Sequence, residues 1–177
     1  MAKFYEYLMA SLPALQFGAQ PPFDFNRFIE IVRGQIPEKD LEVIRRLGGH
    51  MSYEEKTGQS ALDSWLEFEV ALRNELARIR ASRIKTDAQK FLRRDGLSDP
   101  ALYHAAMHAH RIPSLIESEK FLDARRWQKL DELALGHYFD LEALAVYALK
   151  LVILIRWDTI QKLDKEKALE QVLAGAG

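Results

Sequence analysis

The chain contains no cysteine, which removes disulfides, thiol nucleophiles, thiolate zinc sites and iron–sulfur clusters from consideration. Six prolines and nine glycines in 177 residues leave long uninterrupted intervals, and strand-like alternation is nearly absent from them. Neither charge sign dominates: 25 lysines and arginines face 26 aspartates and glutamates, for a formal net charge of -1. That balance argues against a dedicated nucleic-acid binder, which needs a basic excess to neutralise phosphates. A long hydrophobic run is also missing. The greasiest stretch, Leu141 to Trp157, is broken by Glu142, Lys150 and Arg156, whereas a bilayer span needs about 20 mostly apolar residues and a central lysine there costs roughly 3 kcal/mol. Glu6 interrupts the apolar residues of the N-terminus before they reach the length of a secretory leader. The expectation is a cytoplasmic protein without direct membrane insertion.

What is present is helical. With 48% apolar and 29% charged residues, the composition is that of a folded protein. Asp24 precedes Phe25, Phe28, Ile29 and Val32, an i, i+3, i+4, i+7 stripe behind a good N-cap. Pro37 sits in the first turn of a second short helix with Leu41, Ile44 and Leu47 inward, stopped by Gly48-Gly49. The aperiodic segment from His50 to Gln59 reads as a mobile connection. From Ser60, the stripe Leu62, Trp65, Leu66, Leu72, Leu76 and Ile79 predicts a helix of about 24 residues. Thr86 or Asp87 is placed to cap a short helix, and Asp99-Pro100 to open one through His108. Pro113 opens another long helix, closed by Gly136. Asp140 caps the apolar helix, and Asp164 is read as the start of a separate short terminal helix. Residues 4–9 fit either a short strand or a first helical turn. The reading is an all-α, single-domain bundle of about six to eight helices over 1–177, with an N-terminal segment 1–49 of two short helices and a main body 60–177 of long antiparallel helices.

No sequence motif carries catalysis. G-x-x-x-x-G-K-[ST], G-x-G-x-x-G and G-x-S-x-G are all missing, and with them the phosphate-cradle and serine-hydrolase geometries. The carboxylates Glu67 and Glu69, or Glu117 and Glu119, fall on different helix faces. His104 and His108 lie at i, i+4 with His110 shortly after, the spacing of a zinc or nickel site in a small helical enzyme. No glutamate sits between them as in H-E-x-x-H, and imidazoles at a helix end also satisfy its last carbonyls. No cofactor or metal is therefore assigned.

The charge balance is a cancellation. Between Arg73 and Arg94 stand eight basic residues and two acidic ones, so the remainder of the chain is correspondingly acidic. Arg73, Arg78, Arg80, Arg83, Lys85, Arg93 and Arg94 form a candidate docking face for an acidic protein partner, set against the plainer reading of a solvated helix face. Without interleaved aromatic residues, the cluster does not read as a nucleic-acid surface. In the apolar helix, Lys150 and Arg156 need partners, and Glu119 and Asp123 on the preceding long helix are expected to provide structural ion pairs.

Two sets of residues resemble known proteins. The stretch from Phe121 to Gln161, with Phe121-Leu122-Asp123-Ala124-Arg125-Arg126-Trp127, Phe139-Asp140-Leu141-Glu142 and Leu149-Lys150-Leu151-Val152, resembles the helical repeat of the V/A-type ATPase C subunit, the d subunit of the eukaryotic enzyme. Tyr5-Glu6-Tyr7-Leu8-Met9-Ala10-Ser11-Leu12-Pro13 with Phe17-Gly18 resembles an uncharacterised bacterial family associated with V-type ATPase gene clusters. The resemblance implies a non-catalytic coupling or accessory protein. Its partners would be rotor or stalk subunits, and its location would be cytoplasmic, peripheral to the membrane through the complex. The ATPase C subunit has three helical lobes, and a chain of 177 residues is about half that size.

Overall fold

Side-chain caps set most of the helix starts. In the computed structural model, which describes residues 3–49 and 57–175, Asp24 accepts from the Arg27 amide, Asp99 from Ala101, Ser114 from Glu117 and Asp140 from Ala143. The described residues form seven α-helices and no strand: α1 Lys3–Ser11, α2 Phe25–Val32, α3 Glu38–Leu47, α4 Ser60–Arg83, α5 Pro100–Arg111, α6 Leu115–Leu133 and α7 Leu141–Gly175. The protein is all-α. Two 3-10 turns, Ala88–Phe91 and Arg94–Gly96, lie between α4 and α5.

The differences from expectation are local and have physical causes. Of the two readings of residues 4–9, a short strand or a first helical turn, the helical one holds, and Tyr5 and Leu8, three apart, turn one buried face inward. Asp87 caps as expected, but the segment it caps is a single 3-10 turn. Asp164 starts no new helix. The backbone of α7 runs through it for 35 residues, because an aspartate interrupts a helix only when a turn or proline supports the break. Most of the expected connection at His50 to Gln59 lies outside the described residues. At its end, the Thr57 amide and hydroxyl both donate to Asp63 in the first turn of α4.

The helices sort into two compact units rather than a short N-terminal segment and a main body. One comprises residues 1–50 with 138–177, so α7 joins the N-terminal helices. Its Ala143, Leu144, Ala148 and Leu151 are buried, as are Phe28 and Val32 on α2 and Leu41 and Ile44 on α3. Phe28 stacks on Tyr147 with ring centroids 5.5 Å apart. The Tyr5 hydroxyl donates to Asp40 at 2.8 Å, tying α1 to α3. The second unit, residues 51–137, holds α4, α5 and α6. Ala71, Leu72, Leu102, Ala109 and Leu122 form its core, flanked by Phe68, Leu76 and Phe121.

Candidate functional site

The second unit is fixed by polar residues of α4 that point inward. Glu69 falls three and four residues after Leu66 and Trp65, on the apolar stripe itself, and is buried. Its carboxylate accepts from Nε of Arg126 on α6 at 2.6 Å, while Nη1 of Arg126 donates to the buried Asp123 at 2.9 Å. Burial works to lower the pKa of Arg126, but the nearby charge of Glu69, its hydrogen bond and the corresponding effects of Asp123 raise it above the ordinary arginine value. One turn on, Asn74 donates to the carbonyls of Arg93 and Leu97 and accepts from the Arg93 amide. Glu75 accepts from Ser98 and Arg78, each at 2.6 Å, and Arg78 also donates to the Gly96 carbonyl. These bonds hold the 3-10 turns and the start of α5 against α4.

This framework divides the predicted basic face. Arg78 is half-buried and committed to Glu75 and Gly96, so it is a structural residue. Arg73 is exposed and lies 3.9 Å from Glu69. Lys85 and Arg94 occupy left-handed backbone positions with φ of 54° and 46°, and Arg93 contributes its backbone to Asn74. Arg80 and Arg83 point outward, and among the described residues neither is held in an ion pair.

Arg80 and Arg83 form one wall of a groove of about 540 Å³. Leu76 and Ile79 of α4 and Leu122 of α6 contribute to its apolar surface, and the well-exposed Ile84 and Leu115 lie at its edges. Glu119 is also in this groove rather than in the interior. Of the residues expected to form structural ion pairs, Asp123 is bonded to Arg126, and Lys150 and Arg156 lie on α7. The Arg156 guanidinium lies 5.8 Å from the Trp157 ring centroid.

The three histidines separate. His104 and His108 line a second groove of about 520 Å³ with Phe68, Leu102 and Phe121, whereas His110 lines the arginine groove. The His108 ring is 4.5 Å from Phe121, and the Arg125 guanidinium lies 5.3 Å from the same ring. Among the described residues, no three His, Asp or Glu side chains gather as metal ligands. Helical spacing explains the separation: His108 comes one turn after His104, but His110 is two residues further and about 200° around the axis.

The sequence did not single out Glu69, Asn74 or Arg126 as a framework. The usable signal was a carboxylate at an apolar-stripe position of one long helix and an Asp–Arg pair at i, i+3 on another.

Residues 96–174 match the profile of a family described as Protein of unknown function (DUF2764). The match covers α5, α6 and most of α7, including the helical pattern from Phe121 to Gln161. The N-terminal Tyr5-to-Pro13 pattern lies outside it. No curated protein and no solved structure matches the chain. No helix among the described residues is long and apolar enough to cross a membrane.

Proposed function

We propose that this protein is a non-catalytic helical component or accessory of a V/A-type ATPase, docking onto rotor or stalk subunits from the cytoplasmic side. The observation that carries the docking role is the arginine groove: an apolar channel with exposed flanking side chains, walled by the exposed Arg80 and Arg83. A large hydrophobic group on a surface, bordered by charge of one sign, is how a site for another protein is built. The ATPase assignment rests on the resemblance of residues 121–161 to the ATPase C subunit and of residues 5–18 to the associated family.

Affinity purification of the tagged full-length chain from native membranes tests the reading. Recovery of ATPase rotor or stalk subunits is expected, with Arg80→Glu plus Arg83→Glu reducing that recovery at unchanged helicity. Recovery of none of these subunits would remove the ATPase assignment. Arg78 is excluded from the reversal because it is bonded to Glu75 and Gly96, and its loss would disturb the fold itself.

A further inference from the structure

We infer that the arginine groove is a receptor for one amphipathic α-helix of a partner protein, carrying acidic residues along one edge of its apolar stripe and a basic residue on the other. The inference rests on the docking role proposed above and specifies what docks. A channel between packed helices, with an apolar lining and charged side chains along its walls, is the shape that helix-in-groove recognition uses. In that mode, apolar anchors at i, i+3 or i+4 and i+7 fill a channel between helices. Here the channel lies between the C-terminal part of α4 and the α5–α6 corner, with Leu76, Ile79 and Leu122 as its apolar lining.

Charge complementarity defines the occupant. Arg80 and Arg83 are i, i+3 on α4, which puts their Cβ atoms about 5–6 Å apart. Carboxylates at i and i+3 or i+4 of an opposing helix have the same spacing, and each arginine presents a fork suited to a carboxylate. Glu119 stands on the α6 side and His110 on α5. A helix acidic on both edges would face Glu119 with like charge, whereas a lysine or arginine there would pair with it. The groove thereby selects an orientation as well as a sign.

The test uses the full-length chain and three blocked, lactam-bridged 14-residue peptides with the same leucine stripe: Glu on one edge and Lys on the other, Lys on both, and a scrambled stripe. In ¹⁵N spectra, the Glu/Lys peptide is expected to shift amides within 76–84 and 109–122. The Lys-only peptide should bind at least tenfold more weakly, and the scrambled one not at all. Arg80→Glu plus Arg83→Glu should reverse the preference. Leu115→Glu, at a well-exposed position, should weaken all binding while circular dichroism stays unchanged. Equal binding of the two charge patterns, or no shifts in those segments at millimolar peptide, overturns the inference. The outcomes separate from those above: peptide selectivity without ATPase subunits in the purification would retain the groove and remove the ATPase, and the converse would retain the ATPase and remove this occupant.

Discussion

Nε of Arg126 donates to Oε1 of Glu69 at 2.6 Å, joining α6 to α4 inside the unit that carries both grooves. Arg126 also satisfies Asp123, so one cation serves two buried carboxylates. Removing it takes a close charged donor from both. Arg126→Met is expected to cost about 3–5 kcal/mol, the usual penalty for breaking a buried pair. Replacing all three charges, as Glu69→Leu, Asp123→Leu and Arg126→Met, should recover much of that loss, since apolar substitutes of similar size often match a buried ionic cluster. Urea unfolding followed through Trp65 and Trp127 in a Trp157→Phe background reads this unit. A single variant within about 1 kcal/mol of the parent would place the bond among weak surface pairs.

Asn74 makes three hydrogen bonds to the backbone at Arg93 and Leu97. Asn74→Leu leaves those groups to find other partners and should destabilise the protein by about 1–3 kcal/mol. The specific signature is faster hydrogen exchange at the Arg93 amide. Asn74→Asp retains an acceptor for that amide but loses both donations and turns a carboxylate toward two carbonyls, so it should restore little. Unchanged exchange at Arg93 in both variants would show that the turns hold without Asn74.

Helix existence was legible in the sequence because it depends on local signals. Asp24, Asp99 and Asp140 cap where they were expected to, and the 24-residue helix beginning at Ser60 has its predicted length. The grouping of helices was not legible. The apolar circumference of α7 declares burial but not by which neighbours, and the proximity in sequence of α6 suggested a different partition. The candidate site was legible in outline only. Eight basic residues announced a face, but whether each side chain turns outward depends on burial by other elements, and Arg78 and Arg80, two residues apart, have opposite fates.

Gly48 ends α3 under the ring of Phe25, which occupies the space a Cβ would fill. Its φ is -77°, so space rather than backbone strain requires glycine here. Gly48→Ala should cost about 1–3 kcal/mol through forced repacking. Phe25→Ala removes the obstruction while losing its own packing against Phe28, 5.7 Å away between ring centroids. The pair should therefore couple, with the double variant less damaged than the sum of the singles. Additive losses in thermal unfolding would mean that the ring moves aside freely.

A buried phenol, Tyr5, and a half-buried one, Tyr147, make the first unit sensitive to alkali. Burial pushes the Tyr147 hydroxyl up to about 12, where it donates to the Pro13 carbonyl at 3.0 Å. Burial also raises Tyr5, with further contributions from its hydrogen bond to Asp40 and the negative charges of Asp40 and Asp140. Both shifts favour the neutral phenol in the folded chain. Their stabilisation is present in full below the unfolded tyrosine pKa of about 10 and is lost as pH rises from there toward the folded values. Stability should accordingly be insensitive to these groups up to pH about 9.5 and fall between about 10 and 12. Tyr5 and Tyr147 should ionise late in a 295 nm titration, together with the loss of helicity. Lysines titrate in the same interval, so the decisive comparison is Tyr5→Phe with Tyr147→Phe: about 1 kcal/mol lost per hydrogen bond at pH 7, but a shallower alkaline slope. A double variant with the parental slope would assign the alkaline transition to other groups.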